Sequence, residues 1–114
     1  MDTKFKEVTL LTNWQEKIGN WACDTFPQST DASRIEHMSR EVEELRQKPD
    51  DPFEAADIML LLLHHAHVNG YDLFAAVQEK YQIIKRRTWH PPDAMGVVHR
   101  VKNPEEEIIN NEGC

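Results

Sequence analysis

The chain has 114 residues, with 13 Lys and Arg against 20 Asp and Glu and a formal net charge of −7. A chain of this length can form one domain with a modest core, and its acidic balance argues against binding to a nucleic-acid polymer, because little basic surface is left to neutralise phosphates. No apolar run approaches the roughly 20 residues that span a bilayer, so we expect a cytoplasmic protein that does not bind membranes.

The first predicted helix lies near the N-terminus and ends at Phe26-Pro27. Its apolar residues recur at the three- and four-residue steps of an amphipathic helix, and they are Leu10, Leu11, Trp14, Ile18 and Trp21. Trp21 has two interpretations: it can belong to the core, or it can be a platform on which a flat nucleobase stacks.

The second predicted helix starts at residues 29–31, whose side chains can cap it. Its expected apolar stripe consists of Ile35, Met38, Val42 and Leu45. At about 100° per residue, Glu41 and Glu44 fall on one flank together with His37, whereas Glu43 points the other way. Acidic residues are common on solvated helix faces, so Glu41 and Glu44 alone do not establish a binding site.

The third predicted helix follows a proline- and aspartate-rich turn and covers about residues 53–68, up to Asn69-Gly70. Because it is apolar on all sides, we expect it to be the central and most buried element. Glu54 and Asp57 lie one turn apart on it. An ionised Asp57 among apolar neighbours needs a partner, which is either a metal ion or a cation such as Lys80 or Arg87.

Together, the two helices carry four carboxylates that can face one another: Glu41, Glu44, Glu54 and Asp57. Such an oxygen-rich set is what Mg²⁺ or Mn²⁺ prefers. Three histidines at the end of the third helix suggest zinc, but His64, His65 and His67 project in different directions and cannot easily converge on one tetrahedral ion. We expect them to cap the buried helix or to contact a second subunit.

The fourth predicted helix covers about residues 73–88, with Asp72 as its cap. Lys80 and Arg87 then share a face of this helix. Residues 89–93 end it, and residues 96–101 are expected to be a short extended segment. We predict one domain over residues 1–103 and a disordered, acidic tail over 104–114. The absence of alternating strand patterns before Gly96 indicates an all-α bundle of four helices.

The ordered combination of these motifs resembles the MazG-like all-α nucleoside triphosphate pyrophosphohydrolases, and in particular the dATP/dGTP diphosphohydrolase-like branch, much of it from phages. The resemblance covers roughly residues 14 to 101. The motifs that carry it are Trp21-Ala22, Thr25-Phe26-Pro27, His37-Met38-Ser39-Arg40-Glu41, Glu54-Ala55-Ala56-Asp57-Ile58 and Trp89-His90-Pro91-Pro92-Asp93.

The resemblance implies hydrolysis of a purine (deoxy)nucleoside triphosphate such as dGTP, GTP or dATP between the α- and β-phosphates, giving a monophosphate and pyrophosphate. It assigns Glu41, Glu44, Glu54 and Asp57 to the catalytic Mg²⁺ or Mn²⁺ site. It places Lys80 and Arg87 on the substrate phosphates, whereas Ile84 occupies the position of the family's Asn.

The resemblance further implies self-association as a dimer or tetramer, and location in the host cytoplasm if the chain is phage-encoded. The alternative is a helical interaction module, such as a small phage regulator, whose acidic residues only keep it in solution. Such a module would be indifferent to both metal ions and nucleotides.

Overall fold

Four α-helices follow one another along the backbone of residues 3–102, which the computed structural model describes, with side chains from residue 10 onward. The helices are α1 (Thr3–Thr25), α2 (Asp31–Gln47), α3 (Pro52–Val68) and α4 (Leu73–Ile84). No β-strand forms within this part of the chain, and the predicted all-α class is confirmed. The acidic tail predicted at 104–114 lies outside the described residues.

Capping residues set where the helices begin. Thr30 precedes α2, where its Oγ1 accepts a hydrogen bond from Ser33 N at 3.1 Å, and Ser33 Oγ accepts one from Thr30 N at 2.9 Å. Asp51 accepts from Phe53 N at 2.9 Å at the start of α3. Asp72 accepts from Ala75 N at 3.0 Å, as predicted for α4. The local sequence therefore fixes three of the four helix starts.

The chain divides into two compact units, Met1–Ala76 and Val77–Cys114. In the first unit α3 packs against both α1 and α2, so its predicted central position is confirmed. Its predicted burial is confirmed only near the C-terminal end, where His64 and Ala66 are buried. Met59 and Leu60 remain 43% and 46% exposed, because two neighbouring helices cover only part of the circumference of α3.

The helix α2 has only part of its predicted apolar stripe covered within the single chain. Its only buried residue among those described is Arg34. Ile35 and Val42, from the predicted apolar stripe, are 56% and 43% exposed. Met38 and Leu45, from the same stripe, are partly buried, as is Glu41. The covered face of α2 therefore combines polar and apolar residues, and half of the apolar stripe is left uncovered within the single chain.

A close approach of α1 to α3 occurs at Gly19. A Cβ atom at this position would lie 2.2 Å from Cγ of His67 and 2.5 Å from its Cβ. Glycine is thus the residue that lets the two helices meet at this depth. At the end of α3, Gly70 has a φ of 74°, in the left-handed region that glycine adopts without steric cost.

In the second unit α4 ends at Ile84, and the predicted extension of this helix to Thr88 is wrong. Arg86 N and Arg87 N donate to carbonyls three residues earlier, as in a tightening final turn. The chain is then extended and forms an isolated antiparallel bridge between Trp89 and Arg100. The predicted extended segment at 96–101 is thus limited to this bridge.

None of the described helices combines the length and the apolar character that crossing a membrane requires.

Candidate functional site

Four carboxylates from two helices converge in the first unit. One oxygen from each lies within 4.8 Å of all the others, and the residues are Glu41, Glu44, Glu54 and Asp57. The short connection between α2 and α3 makes these helices antiparallel neighbours. Residues three positions apart lie on the same side of each helix, so the end of α2 and the start of α3 present their acid pairs to each other.

The four acids differ in their exposure to solvent. Glu41 and Glu54 are partly buried, whereas Glu44 and Asp57 are exposed. The expectation that apolar neighbours bury Asp57 is wrong for the single chain, because Ala55, Ala56 and Leu60 around it are themselves exposed. Its place in the cluster follows from helical spacing rather than from burial.

The surroundings of the cluster raise the pKa of two of these acids. A hydrogen bond to Glu41 and the charge of that residue raise the pKa of Glu44 above its ordinary value. Burial raises the pKa of Glu54, and the charge of Glu44 adds to this effect. Lys48, at the end of α2, opposes both shifts. Four anions so close together favour a bound cation over the empty cluster.

Two oxygens of the cluster are buried and have no hydrogen-bond partner among the described residues. They are Oε2 of Glu41 and Oε2 of Glu54. The other oxygen of Glu41 is held by His37 Nε2 at 3.2 Å. Buried polar atoms are normally satisfied, and carboxylate oxygens are the preferred ligands of Mg²⁺ and Mn²⁺. The donor set therefore fits a hard divalent cation.

A cavity of about 620 Å³ extends from this cluster between α1, α2 and α3. One wall is a stripe on α2 formed by Arg34, His37 and Glu41, and the facing wall is a stripe on α3 that runs from Asp57 to His64. Both stripes follow the i, i+3, i+7 spacing of one helix face. The cavity thus has an acidic end and an end that carries Arg34 and His64.

Arg34 and His64 were not identified as functional from the sequence. Arg34 is 3% exposed and His64 4% exposed. Burial and the nearby Arg34 charge lower the pKa of His64, so its imidazole is neutral at neutral pH. Extending the face of Glu41 back by two turns would have led to Arg34, but an arginine on a polar helix flank gives no sign that it is buried.

Trp21 borders the cavity and is 60% exposed, so its interpretation as a core residue is wrong. Its ring meets that of Phe26 edge to face, with centroids 5.6 Å apart. Trp14, at 50% exposure, is not a core residue either. An exposed aromatic pair at the rim of a cavity can receive a flat ring.

The predicted phosphate-binding residues belong to the second unit. Lys80 lies on α4, and Arg87 follows the end of that helix instead of sharing its face. Their role stays a prediction. The three histidines of α3 make contacts inside the chain: His64 lines the cavity, His65 Nδ1 accepts from Arg34 Nε, and His67 packs on Gly19. Within the described residues they form no metal cluster.

Comparison with known proteins gives consistent matches. A family model described as dATP/dGTP pyrophosphohydrolase matches residues 14–107. A dATP/dGTP diphosphohydrolase of Salmonella phage PMBT28 is 38% identical over 80 residues, which are 69% of this chain and 28% of that protein. A dATP/dGTP diphosphohydrolase of Cyanophage S-2L is 29% identical over 75% of this chain and 83% of that protein. The chain thus spans about a quarter of the length of the first relative.

A solved structure also matches. It is the MazG-like pyrophosphohydrolase of Cyanophage S-2L bound to dGDP and three catalytic Mn²⁺ ions per active site. The TM-score is 0.68 at 27% identity, over 83% of this chain and 97% of that chain. The fold, the carboxylate cluster and a family match that covers most of the sequence agree: the chain belongs to the dATP/dGTP pyrophosphohydrolase family, whose architecture is MazG-like.

Proposed function

We propose that this chain hydrolyses purine deoxynucleoside triphosphates between the α- and β-phosphates and releases pyrophosphate, with Mg²⁺ or Mn²⁺ as cofactor. The observation that carries the proposal is the four-carboxylate cluster, which contains two buried oxygens without partners and opens into a cavity bordered by aromatic rings. The dGDP and Mn²⁺ ions in the related cyanophage structure support the choice of ligands.

The four clustered carboxylates would hold the metal ions. When bound, Mg²⁺ or Mn²⁺ supplies charge neutralisation for the phosphate oxygens and makes a bound water more acidic. Phosphoanhydride cleavage depends on positioning and electrostatic stabilisation more than on covalent catalysis. A site made of carboxylates, with no nucleophilic side chain among them, suits this chemistry.

The chain's own residues would bind the substrate and accept the proton of the attacking water. Glu41 is held by His37 through Oε1, while its Oε2 has no partner in the described part of the chain, so we assign Glu41 to accept the proton of the attacking water. Trp21 would stack on the base. Lys80 and Arg87 would bind the phosphates by charge-assisted hydrogen bonds, and Ile84 contributes no polar contact at the position where the family carries Asn.

The proposal is tested by incubating the protein with each of the eight common nucleoside and deoxynucleoside triphosphates, with Mn²⁺, with Mg²⁺ and with EDTA. We expect purine substrates to yield monophosphate and pyrophosphate in equal amounts, and no product with EDTA. Release of inorganic phosphate with a diphosphate would contradict cleavage at the α–β bond. Indifference to every nucleotide and metal would instead favour the helical interaction module.

We also propose that the chain acts as a homodimer or a dimer of dimers, and in the cytoplasm, where its nucleotide substrates are found. Exposed apolar residues on α2 and α3 support self-association, because the single chain leaves them uncovered.

A further inference from the structure

The two ends of the cavity are separated along α2. Arg34 and Glu41 are seven residues apart on the same face, which at 1.5 Å per residue corresponds to about 10 Å. Across the cavity, α3 places Asp57 near the acidic end, while His64 and His65 lie at the Arg34 end. If the phosphates of a ligand lie at the carboxylates, the part of the ligand that reaches Arg34 is therefore remote from its phosphates.

The guanidinium of Arg34 is fixed in place by three hydrogen bonds. Its Nε donates to His65 Nδ1 at 3.2 Å, its Nη1 donates to Ser29 Oγ at 2.9 Å, and its Nη2 donates to Asp31 Oδ1. Asp31 is held in turn by Asn69 Nδ2 at 3.0 Å. A guanidinium has five N–H donors. Among the described residues, these bonds use three of the five, which leaves one N–H on each terminal nitrogen, and Arg34 itself lines the cavity.

The charge at this end suits a neutral ligand rather than a phosphate. Hydrogen bonds from Asn69 and Arg34 lower the pKa of Asp31, so this carboxylate stays ionised and balances the Arg34 charge. His64 beside them adds no positive charge, because burial keeps it neutral. Two fixed donors with a balanced charge match a pair of neutral acceptors on one edge of a base.

Guanine and adenine differ at the edge that a fixed arginine reads. Guanine presents two acceptors there, O6 and N7, and a bidentate arginine is their commonest partner. Adenine presents N7 beside the N6 amino group, whose hydrogens would face an arginine N–H. The aromatic pair lies at the same end of the cavity, because Phe26 O accepts from Ser29 N at 3.1 Å and Ser29 binds Arg34. A base stacked on Trp21 would therefore present an edge to Arg34.

We propose that Arg34 is a specificity-determining residue that selects guanine over adenine by donating to O6 and N7 of the base. The inference rests on the proposed function, because it assumes that a purine nucleotide occupies this cavity. It commits the site to a 6-oxopurine base, whereas the carboxylate cluster and the family match do not distinguish guanine from adenine.

The test is a binding series with the unmodified protein, using nucleoside monophosphates that no pyrophosphohydrolase can cleave. Calorimetry in Mn²⁺ buffer would compare dGMP, dIMP, 7-deaza-dGMP and dAMP. We expect dIMP, which keeps O6 and N7, to bind within about threefold of dGMP. We expect 7-deaza-dGMP, which lacks N7, to bind about tenfold more weakly, and dAMP to bind about 10- to 100-fold more weakly. Equal binding of dGMP and 7-deaza-dGMP would overturn the proposal, as would a preference for dAMP.

Variants separate selectivity from folding. Arg34→Lys keeps the charge but loses the two-donor edge, so the ratio of dGMP to dAMP affinity should fall to about threefold or less. Arg40→Lys is the matched control, because Arg40 is an exposed arginine of the same helix that pairs with Glu36 at 3.2 Å. The ratio of dGMP to dAMP affinity should be unchanged in this variant. If a folded Arg34→Lys protein kept the ratio of dGMP to dAMP affinity of the unmodified protein, the proposal would be contradicted. If Arg34→Lys does not fold, the analogue series with the unmodified protein decides.

The two proposals fail in different ways. If the triphosphates are not cleaved but dGMP still binds better than 7-deaza-dGMP, the proposed hydrolysis is wrong and the assignment of Arg34 stands. If the triphosphates are cleaved but all four monophosphates bind equally, the hydrolysis stands and the assignment of Arg34 is wrong.

Discussion

Asp57 and Glu43 are two exposed acids of the same unit with opposite expected roles. Asp57 belongs to the four-carboxylate cluster, whereas Glu43 pairs with Arg46 at 3.1 Å on the other side of α2. Even changes outside the ligand shell of a metal site cost roughly 10- to 100-fold in affinity or activity. We therefore expect Asp57→Asn to lower both Mn²⁺ affinity and turnover by at least about 100-fold.

The matched control for this change is Glu43→Gln, which also removes one exposed negative charge. Its Mn²⁺ affinity, measured by calorimetry, should stay within about twofold of the unmodified protein. Full turnover of Asp57→Asn at saturating Mn²⁺ would show that the cluster is not the catalytic metal site.

The crowded acids also predict how stability depends on pH when metal is absent. The pKa of Glu54 is raised above 4.5 in the folded protein, so the folded state binds more protons than the unfolded state. The contribution of protonated Glu54 to the free energy of unfolding is therefore complete below pH 4.5, and it is lost as the pH rises through the raised pKa. In EDTA, Glu54→Gln should raise the melting temperature relative to the unmodified protein at neutral pH, and the difference should vanish toward pH 4.5.

Addition of Mn²⁺ should reverse the order of the two melting temperatures, so that the unmodified protein becomes more stable than Glu54→Gln. A metal that binds only the folded state stabilises it by mass action, and Glu54→Gln removes one of the ligands. Thermal scans with and without Mn²⁺ should show a large gain for the unmodified protein and a small one for the variant. An equal gain in both proteins would rule out Glu54 as a ligand.

Single residues differed in how far the sequence could predict them. The acid cluster follows from two i, i+3 pairs on neighbouring helices, and helical geometry suffices to place it. The burial of Arg34 depends on packing against α3, where His65 lies 31 residues away in sequence, so the local pair with Asp31 does not indicate it. The exposure of Trp21 and Asp57 was missed because an apolar neighbourhood in sequence does not reveal how many helices cover it.

At the scale of the helices, the contact between Gly19 and His67 decides how closely α1 packs on α3. Gly19→Ala would favour the helix by up to about 1 kcal/mol through propensity. The new methyl would however lie 2.2 Å from the His67 ring, and overpacking of this kind costs roughly 1–3 kcal/mol. We expect a net loss in the free energy of unfolding, measured by denaturant titration.

Removal of the opposing side chain should change the sign of this effect. In a His67→Gly background, which removes both the ring and the Cβ atom that lies 2.5 Å from the new methyl, the same Gly19→Ala change should be neutral or stabilising, since only the propensity gain remains. The double-mutant cycle isolates this coupling. Additive effects would show that the two helices do not meet at this point.

Helix boundaries were predictable where a capping residue marks them and not where tertiary structure ends them. Thr30, Asp51 and Asp72 all cap as their side-chain chemistry predicts. The early end of α4 has no such signal: three residues beyond Ile84 keep helical propensity, but pairing of Trp89 with Arg100 requires extended backbone just after them. Non-local pairing thus overrides local preference.

At the scale of the whole molecule, the all-α class was predictable from periodicity, whereas the extent of the core was not. Only two apolar residues among those described are buried, Ala22 and Ala66. Of the predicted apolar stripe of α2, Met38 and Leu45 are partly buried, whereas Ile35 and Val42 are exposed. The pattern identifies an apolar face but not the surface that covers it.

We predict that a second copy of the chain covers this stripe. Ile35 and Val42 lie seven residues apart on one face of α2 and are 56% and 43% exposed, while Arg34 and Met38 beside them are buried or partly buried within the chain. A symmetric dimer is the commonest closed assembly, and an apolar stripe at its centre would not tolerate charge. Light scattering at micromolar concentration should give at least twice the 13.3 kDa of one chain, and Ile35→Glu should shift the mass toward a monomer.

The control for this substitution is Arg40→Gln, which makes the same change in net charge. Arg40 lies about 140° around α2 from Ile35 and is 75% exposed at its side chain, so its variant should keep the mass of the unmodified protein. If both variants dissociate, net charge rather than the stripe controls association. If neither does, another surface joins the subunits. A monomer that keeps full turnover would show that the uncovered stripe has no role in assembly, and that each chain completes its site alone.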